Sequence, residues 1–189
     1  MRLFFAIELP DEVRERIVET QASVRADVND SDWRWTKPEM LHVTLAFLGN
    51  VADEELENVK AFADETCSQV AATELSFERI GCFPAWKSPK VLWVGAFEET
   101  GALANLGDSL TQKCAGESGA VDKVLLHVTI ARARTKFTRA HGRGLADLLE
   151  ERVSPCGSAT VNQIVLFQST AGQNGPVQHI PLEKFPLKS

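Results

Sequence analysis

Two of the four histidines in this chain sit in one recurring tripeptide. His42-Val43-Thr44 opens HVTLAFLG (42–49), and His127-Val128-Thr129 opens HVTIARAR (127–134). Side chains at i and i+2 of a strand share a face. If both segments are strands, each presents an imidazole and a hydroxyl together and turns its valine the other way. Histidine titrates near neutrality, so of two facing rings one can accept a proton while the other gives one. Threonine hydroxyls and a nearby arginine, Arg132, suit phosphate oxygens, and in-line displacement at phosphorus sets the attacking and departing oxygens on opposite sides. The chemistry indicated is phosphoryl transfer run by the acid-base pair His42 and His127.

A lone histidine in an apolar strand is usually a hydrogen-bonded core residue. Recurrence of the whole setting 127 − 42 = 85 residues later favours a shared role instead. His141 and His179 lack a threonine at i+2 and are expected to be structural or surface residues. Each tripeptide supplies threonine where a metal site would need a second His, Cys or carboxylate, so no metal and no cofactor is expected.

The elements that must position these residues follow from periodicity and punctuation. RLFFAIEL (2–9) reads as a buried strand stopped by Pro10, followed by a helix at 11–27 with Val13, Ile17 and Val24 on one stripe. LHVTLAFLG (41–49) reads as a strand, 53–71 as a helix, and 74–84 and 90–97 as strands around the AWKSP loop. A helix at 101–116, a strand at 123–133 and a helix at 139–152 come next. Strands at 159–169 and 177–187 flank a Gly-Gln-Asn-Gly-Pro turn. Strand, helix and HVT strand thus occur twice, at about 2–49 and 90–133, and Leu3 to His42 and Leu92 to His127 span 39 and 35 residues. Such a repeat predicts a single domain over 1–189 made of two intertwined α/β lobes.

These residues resemble a known group. The paired His42-Val43-Thr44-Leu45 and His127-Val128-Thr129-Ile130 are similar to the His-x-Thr-x signatures of the two-histidine phosphoesterase superfamily. RLFFAIELP, RWTKPEMLHVTLAFLG, FPAWKSPKVLWVG, HVTIARAR and the closing FPL resemble its bacterial and archaeal RNA 2′,3′-cyclic phosphodiesterases, historically called 2′-5′ RNA ligases. The resemblance implies an α+β, bilobal fold: two pseudo-twofold-related halves with antiparallel sheets around a central cleft. It implies metal-free hydrolysis of RNA 2′,3′-cyclic phosphate ends to 2′-phosphate ends, with reversible 2′-5′ ligation as a companion reaction. His42 would be the proton donor to the departing 3′ oxygen, His127 the proton acceptor from water, and Thr44, Thr129 and Arg132 the phosphate ligands. Relatives often carry a basic residue where this chain has Ala46.

Composition bounds the rest. The chain has 189 residues, is 44% hydrophobic and 24% charged, and can bury a core without cofactor or disulfide. A net charge of −6 opposes a broad nucleic-acid-coating surface. Residues 53–65 are acidic, whereas RARTKFTRAHGR (132–143) holds five Arg or Lys and no carboxylate, either a local anion site or a solvated face. Arg134, Lys136 and Arg139 could steer an RNA end or simply face water. Cys67, Cys82, Cys114 and Cys156 match neither a zinc nor a redox spacing and are expected to be reduced, buried thiols. With no signal-peptide core or membrane span, a cytoplasmic, monomeric protein is expected. Of the tryptophans Trp33, Trp35, Trp86 and Trp93, Trp93 is expected in the core and Trp86 is the candidate base contact. Phe47, on the parity of Val43 and Leu45, is expected in the core. The expected partner is an RNA or oligonucleotide ending in a 2′,3′-cyclic phosphate, with no obligate protein partner. A phosphodiesterase for small cyclic nucleotides and a noncatalytic RNA-end binding protein are the alternatives.

Overall fold

The computed structural model describes residues 1–115, 124–171 and 177–188. The elements run β1 (Arg2–Glu8), α1 (Asp11–Asp27), β2 (Trp33–Trp35), β3 (His42–Asn50), α2 (Leu56–Cys67), β4 (Thr73–Phe83), β5 (Val91–Phe97), α3 (Ala102–Cys114), β6 (His127–Ala133), α4 (Arg139–Leu149), β7 (Ser158–Val161), β8 (Gln163–Ala171) and β9 (Val177–Pro186). The class is α+β, as expected. The three-residue β2 was not legible, and the strand expected over 159–169 is divided into β7 and β8. The helix expected over 53–71 begins with a 3-10 turn at Asp53–Glu55 and ends at Cys67. Residues 116 and 123, at the ends of an expected helix and strand, and the turn expected at 172–176 lie outside the described residues.

The strands form one sheet in the order β7-β4-β5-β6-β3-β1-β8-β9, with β2 added beside β6. Its described pairings between named strands are antiparallel. The two halves, β7-β4-β5-β6 and β3-β1-β8-β9, share one residue pair in register, Val43 with Val128. Beyond it β3 continues along β1 while β6 runs between β5 and β2, so the sheet splays open at the middle. The chain crosses between halves: β4 follows α2 yet pairs with β5, and β8 follows β7 yet returns to pair with β1.

The helices cover the face opposite the histidines. In α1, Val13, Ile17, Gln21 and Val24 are buried at helical spacing, and Asp11 and Glu12 at its start complement the helix dipole. In α3, Leu103, Leu106, Leu110 and Cys114 do the same, and the Glu98 carboxylate accepts the first free amides, from Leu103 and Ala104, at 3.0 and 2.9 Å. Val43, Leu45, Val128 and Ile130 belong to this core with Leu3, Phe5, Leu92 and Val94. All four cysteines are free and buried; burial pushes Cys67 up to about 12 and Cys82 and Cys114 up to about 11. Among the described residues no helix is long and apolar enough to cross a membrane.

Candidate active site

Val43 and Val128 are fully buried partners, so alternation turns His42, Thr44, His127 and Thr129 together onto the opposite face. The antiparallel sense sets His42 on the Thr129 side of the crossing and His127 on the Thr44 side. All four residues are half-buried.

The two imidazoles are held alike. His42 donates from Nδ1 to the carbonyl of Met40 at 2.8 Å, and His127 donates from Nδ1 to the carbonyl of Leu125 at 2.6 Å, each two residues upstream. This fixes the tautomer and leaves Nε2 as the nitrogen free of the backbone in both rings. His42 Nε2 accepts from the Thr44 hydroxyl at 3.1 Å. Burial lowers the pKa of His42 to about 4, opposed by the Met40 carbonyl and assisted by His179, His127 and Arg132. His127 is lowered too, by burial first and then by Arg132.

Within five residues of each histidine, strict alternation fails in the same way. Along β6, Trp93 pairs with Thr129 but Leu92 pairs with Ala131, so Ile130 is an extra residue. Ile130 and Ala131 are consecutively buried, and Arg132 emerges on the face of His127 and Thr129. Along β3, Ala6 pairs with Thr44 but Phe5 pairs with Ala46, which makes Leu45 the extra residue and returns Phe47 to the face of His42. Phe47 is therefore not a main-core residue. It packs with Phe4, Ala6, Val165 and Phe167 in a separate apolar layer on the histidine side, with the Arg2 guanidinium 5.0 Å over its ring. Ala46 is buried beside the extra residue.

Each bulge is held from behind. The buried Gln21 side chain of α1 donates to the carbonyls of Ile130 and Thr36, both at 2.8 Å, and the Thr36 amide also donates to Ile130. On the other side α3 approaches β3 so closely that a Cβ on Gly107 would lie 2.4 Å from the Leu45 carbonyl oxygen. Only glycine permits that approach.

Three further aromatic groups touch the site. His179 of β9, expected to be structural or surface, lies edge-on to His42 with ring centroids 5.1 Å apart and contacts Phe4 at 4.8 Å. Phe83 meets His127 edge-on at 4.9 Å. Trp93, expected in the core, is half-buried on the cleft face as the cross-strand partner of Thr129, 6.2 Å from His127, and its ring occupies the space a Cβ on Gly81 would need. Trp86 is half-buried against the main core, its carbonyl against Gly142 of α4, and makes no described ring contact with either histidine. Trp33 is core, Trp35 donates to Asp30 at 2.6 Å, and His141 pairs locally with Thr138. On β2 the intervening residue, Arg34, stands directly across from Arg132. Among the described residues no cluster of His, Cys, Asp or Glu is arranged to hold a metal ion.

The model of the LigT-like phosphoesterases matches residues 7–93. An RNA 2′,3′-cyclic phosphodiesterase of Archaeoglobus fulgidus is 32% identical over 94% of this chain and 96% of its own length. The crystal structure of TT0787 of Thermus thermophilus superposes with a TM-score of 0.80 at 29% identity, covering 100% of this chain and 98% of that one. Escherichia coli LigT complexed with 3′-AMP superposes with a TM-score of 0.74 at 25% identity, again over 100% and 98%.

Proposed function

The chain belongs to the LigT-like phosphoesterases, and from that premise we propose that it hydrolyses 2′,3′-cyclic phosphate ends of RNA to 2′-phosphate ends by proton transfer between His42 and His127, without a metal ion. The observation that carries the reading is the matched pair of imidazoles, each with Nδ1 tied to the carbonyl two residues back and Nε2 left for chemistry. The relatives named RNA 2′,3′-cyclic phosphodiesterases supply the substrate class.

In this mechanism His127 Nε2 takes a proton from water as the water oxygen bonds to phosphorus. His42 Nε2 gives its proton to the 3′ oxygen as the P–O3′ bond breaks, leaving a 2′-phosphate monoester and a free 3′ hydroxyl. Thr44, Thr129 and Arg132 hold the non-bridging oxygens while charge builds on them. Burial disfavours the charged form of His42, and a phosphodiester anion beside it favours that form, so substrate itself would promote protonation of the acid. A 5′-hydroxyl in place of water would form a 2′-5′ linkage by the same step, and its reversal exchanges the two roles. The protein acts as one domain over 1–189, its strand-helix-HVT units at about 2–49 and 90–133 being a duplication, and works in the cytoplasm on RNA ends.

The test is an oligoribonucleotide ending in a 2′,3′-cyclic phosphate, incubated in EDTA, with the terminal isomer identified afterwards. A 2′-phosphate product that disappears with His42→Ala and with His127→Ala supports the reading. A 3′-phosphate product, or activity lost to EDTA and restored by a metal ion, refutes it.

A further inference from the structure

The cleft has unequal walls. In the half of the sheet that carries His42, the histidine face holds an aromatic layer of Phe4, Phe47 and Phe167, with the Arg2 guanidinium over Phe47. Beside β6, the strand of His127, β2 places Arg34 directly opposite Arg132, beyond Thr129 and so at the end of the crossing where His42 lies. Directly opposed residues of an antiparallel pair point to the same face with Cβ atoms about 4.5–5.5 Å apart, and like charges there repel. Trp33, on the other face of β2, is in the core, so Arg34 projects with Arg132 onto the cleft face.

Neither guanidinium has a described carboxylate partner. The nearby acids are engaged elsewhere: Asp30 with Arg25 and Trp35, and Asp32 with Asn29 and Thr135. In a chain of net charge −6, two opposed cations left without an anion mark a place where an anion binds. One cyclic phosphodiester carries a single negative charge, already faced by Arg132 and an imidazolium. The second guanidinium calls for a second phosphate, which an RNA chain supplies and a mononucleotide does not.

We propose that Arg34 holds the phosphate joining the terminal nucleotide to its 5′ neighbour, which makes this enzyme select RNA chain ends over mononucleoside cyclic phosphates. The subsite rests on the RNA-end reading above. It also gives the strand a direction: the backbone leaves the cleft over β2 and β6, away from the aromatic wall.

The test compares the parent with Arg34→Gln and Arg34→Lys on a short oligoribonucleotide 2′,3′-cyclic phosphate and on a mononucleoside 2′,3′-cyclic phosphate, at several salt concentrations. The ratio of kcat/KM for the oligonucleotide to that for the mononucleotide is expected to fall at least about tenfold in Arg34→Gln, through KM, with partial recovery in Arg34→Lys. The salt dependence of oligonucleotide KM should weaken by a log-log slope of about 0.7, the value for one single-strand phosphate contact. A ratio within about twofold of the parent, whether both activities fall together or neither does, overturns the subsite and leaves the RNA-end reading standing. A parent inert on both substrates overturns that reading and the subsite with it.

Discussion

Phe47 and Arg132 occupy the same place in the two halves of the sheet, five residues beyond His42 and His127, each delivered to the cleft by one extra residue in its strand. One is aromatic and the other cationic. The cleft is therefore symmetric in its histidines and asymmetric in what stands beyond them: on β3 the Phe47 ring, under the Arg2 guanidinium, and on β6 the Arg132 guanidinium itself.

Removing that guanidinium should cost more than binding. Arg132→Ala is expected to lower kcat by about 10²-fold, the scale of one lost donor to developing phosphate charge. Arg132→Lys should recover little of it, because lysine lacks the planar fork. Single-turnover kinetics check this, and unchanged turnover would place the side chain in solvent.

Each histidine is expected to matter independently. His42→Ala and His127→Ala should each reduce turnover by at least about 10²-fold, the usual scale of general acid-base catalysis. Mass analysis of the terminal phosphate reads the outcome, and retention of most activity in either variant would remove that residue from the mechanism.

The pH profile should carry the mark of burial. Both imidazoles are pushed below their usual range, His42 to about 4, so kcat/KM, which reports the free enzyme, should be bell-shaped with its maximum on the acid side of about 6.5. The kcat optimum should lie higher, because bound phosphate favours the imidazolium. A kcat/KM profile flat from about pH 5 to about 9 would contradict paired proton transfer.

The same shift predicts how stability varies with pH. A histidine whose folded pKa lies below its unfolded value binds fewer protons when folded, so stability is full above about 6.5 and is lost as pH falls toward about 4. For His42 this loss amounts to about 3 kcal/mol. Urea unfolding across that window should show the loss, and His42→Gln should remove its own share of the slope.

Two glycines separate helix propensity from close packing. Gly144, in α4, has nothing within 4 Å of a new Cβ, so Gly144→Ala should stabilise by about 0.5–1 kcal/mol. Gly107→Ala gains the same propensity but drives a methyl to within 2.4 Å of the Leu45 carbonyl oxygen, and overpacking of about 1–3 kcal/mol outweighs it. Urea midpoints should move in opposite directions, and Gly107→Ala should also slow turnover by disturbing the bulge behind His42 and Thr44.

Much of the architecture was legible because it is local. Alternation in His42-Val43-Thr44 and His127-Val128-Thr129 determined that histidine and threonine share a face and that the valines are buried, and helical spacing located α1 and α3. Local pattern fails where a distant partner decides. Strict alternation sends Phe47 to the core; it lies on the cleft face because Leu45 bulges against Gly107, 62 residues away by 107 − 45. Arg132 shares the face of His127 only because Ile130 bulges where Gln21 and Thr36 can hold its carbonyl. His179 and Trp93 carry no local signal for their contacts with His42 and His127, which arise when β9 and β5 pair into the sheet. The three residues of β2 are too few to show a period, yet they set Arg34 against Arg132. The two His-Val-Thr segments and their shared face were written in the sequence; which other side chains share their cleft was decided by bulges and strand pairings, whose partners lie far along the chain.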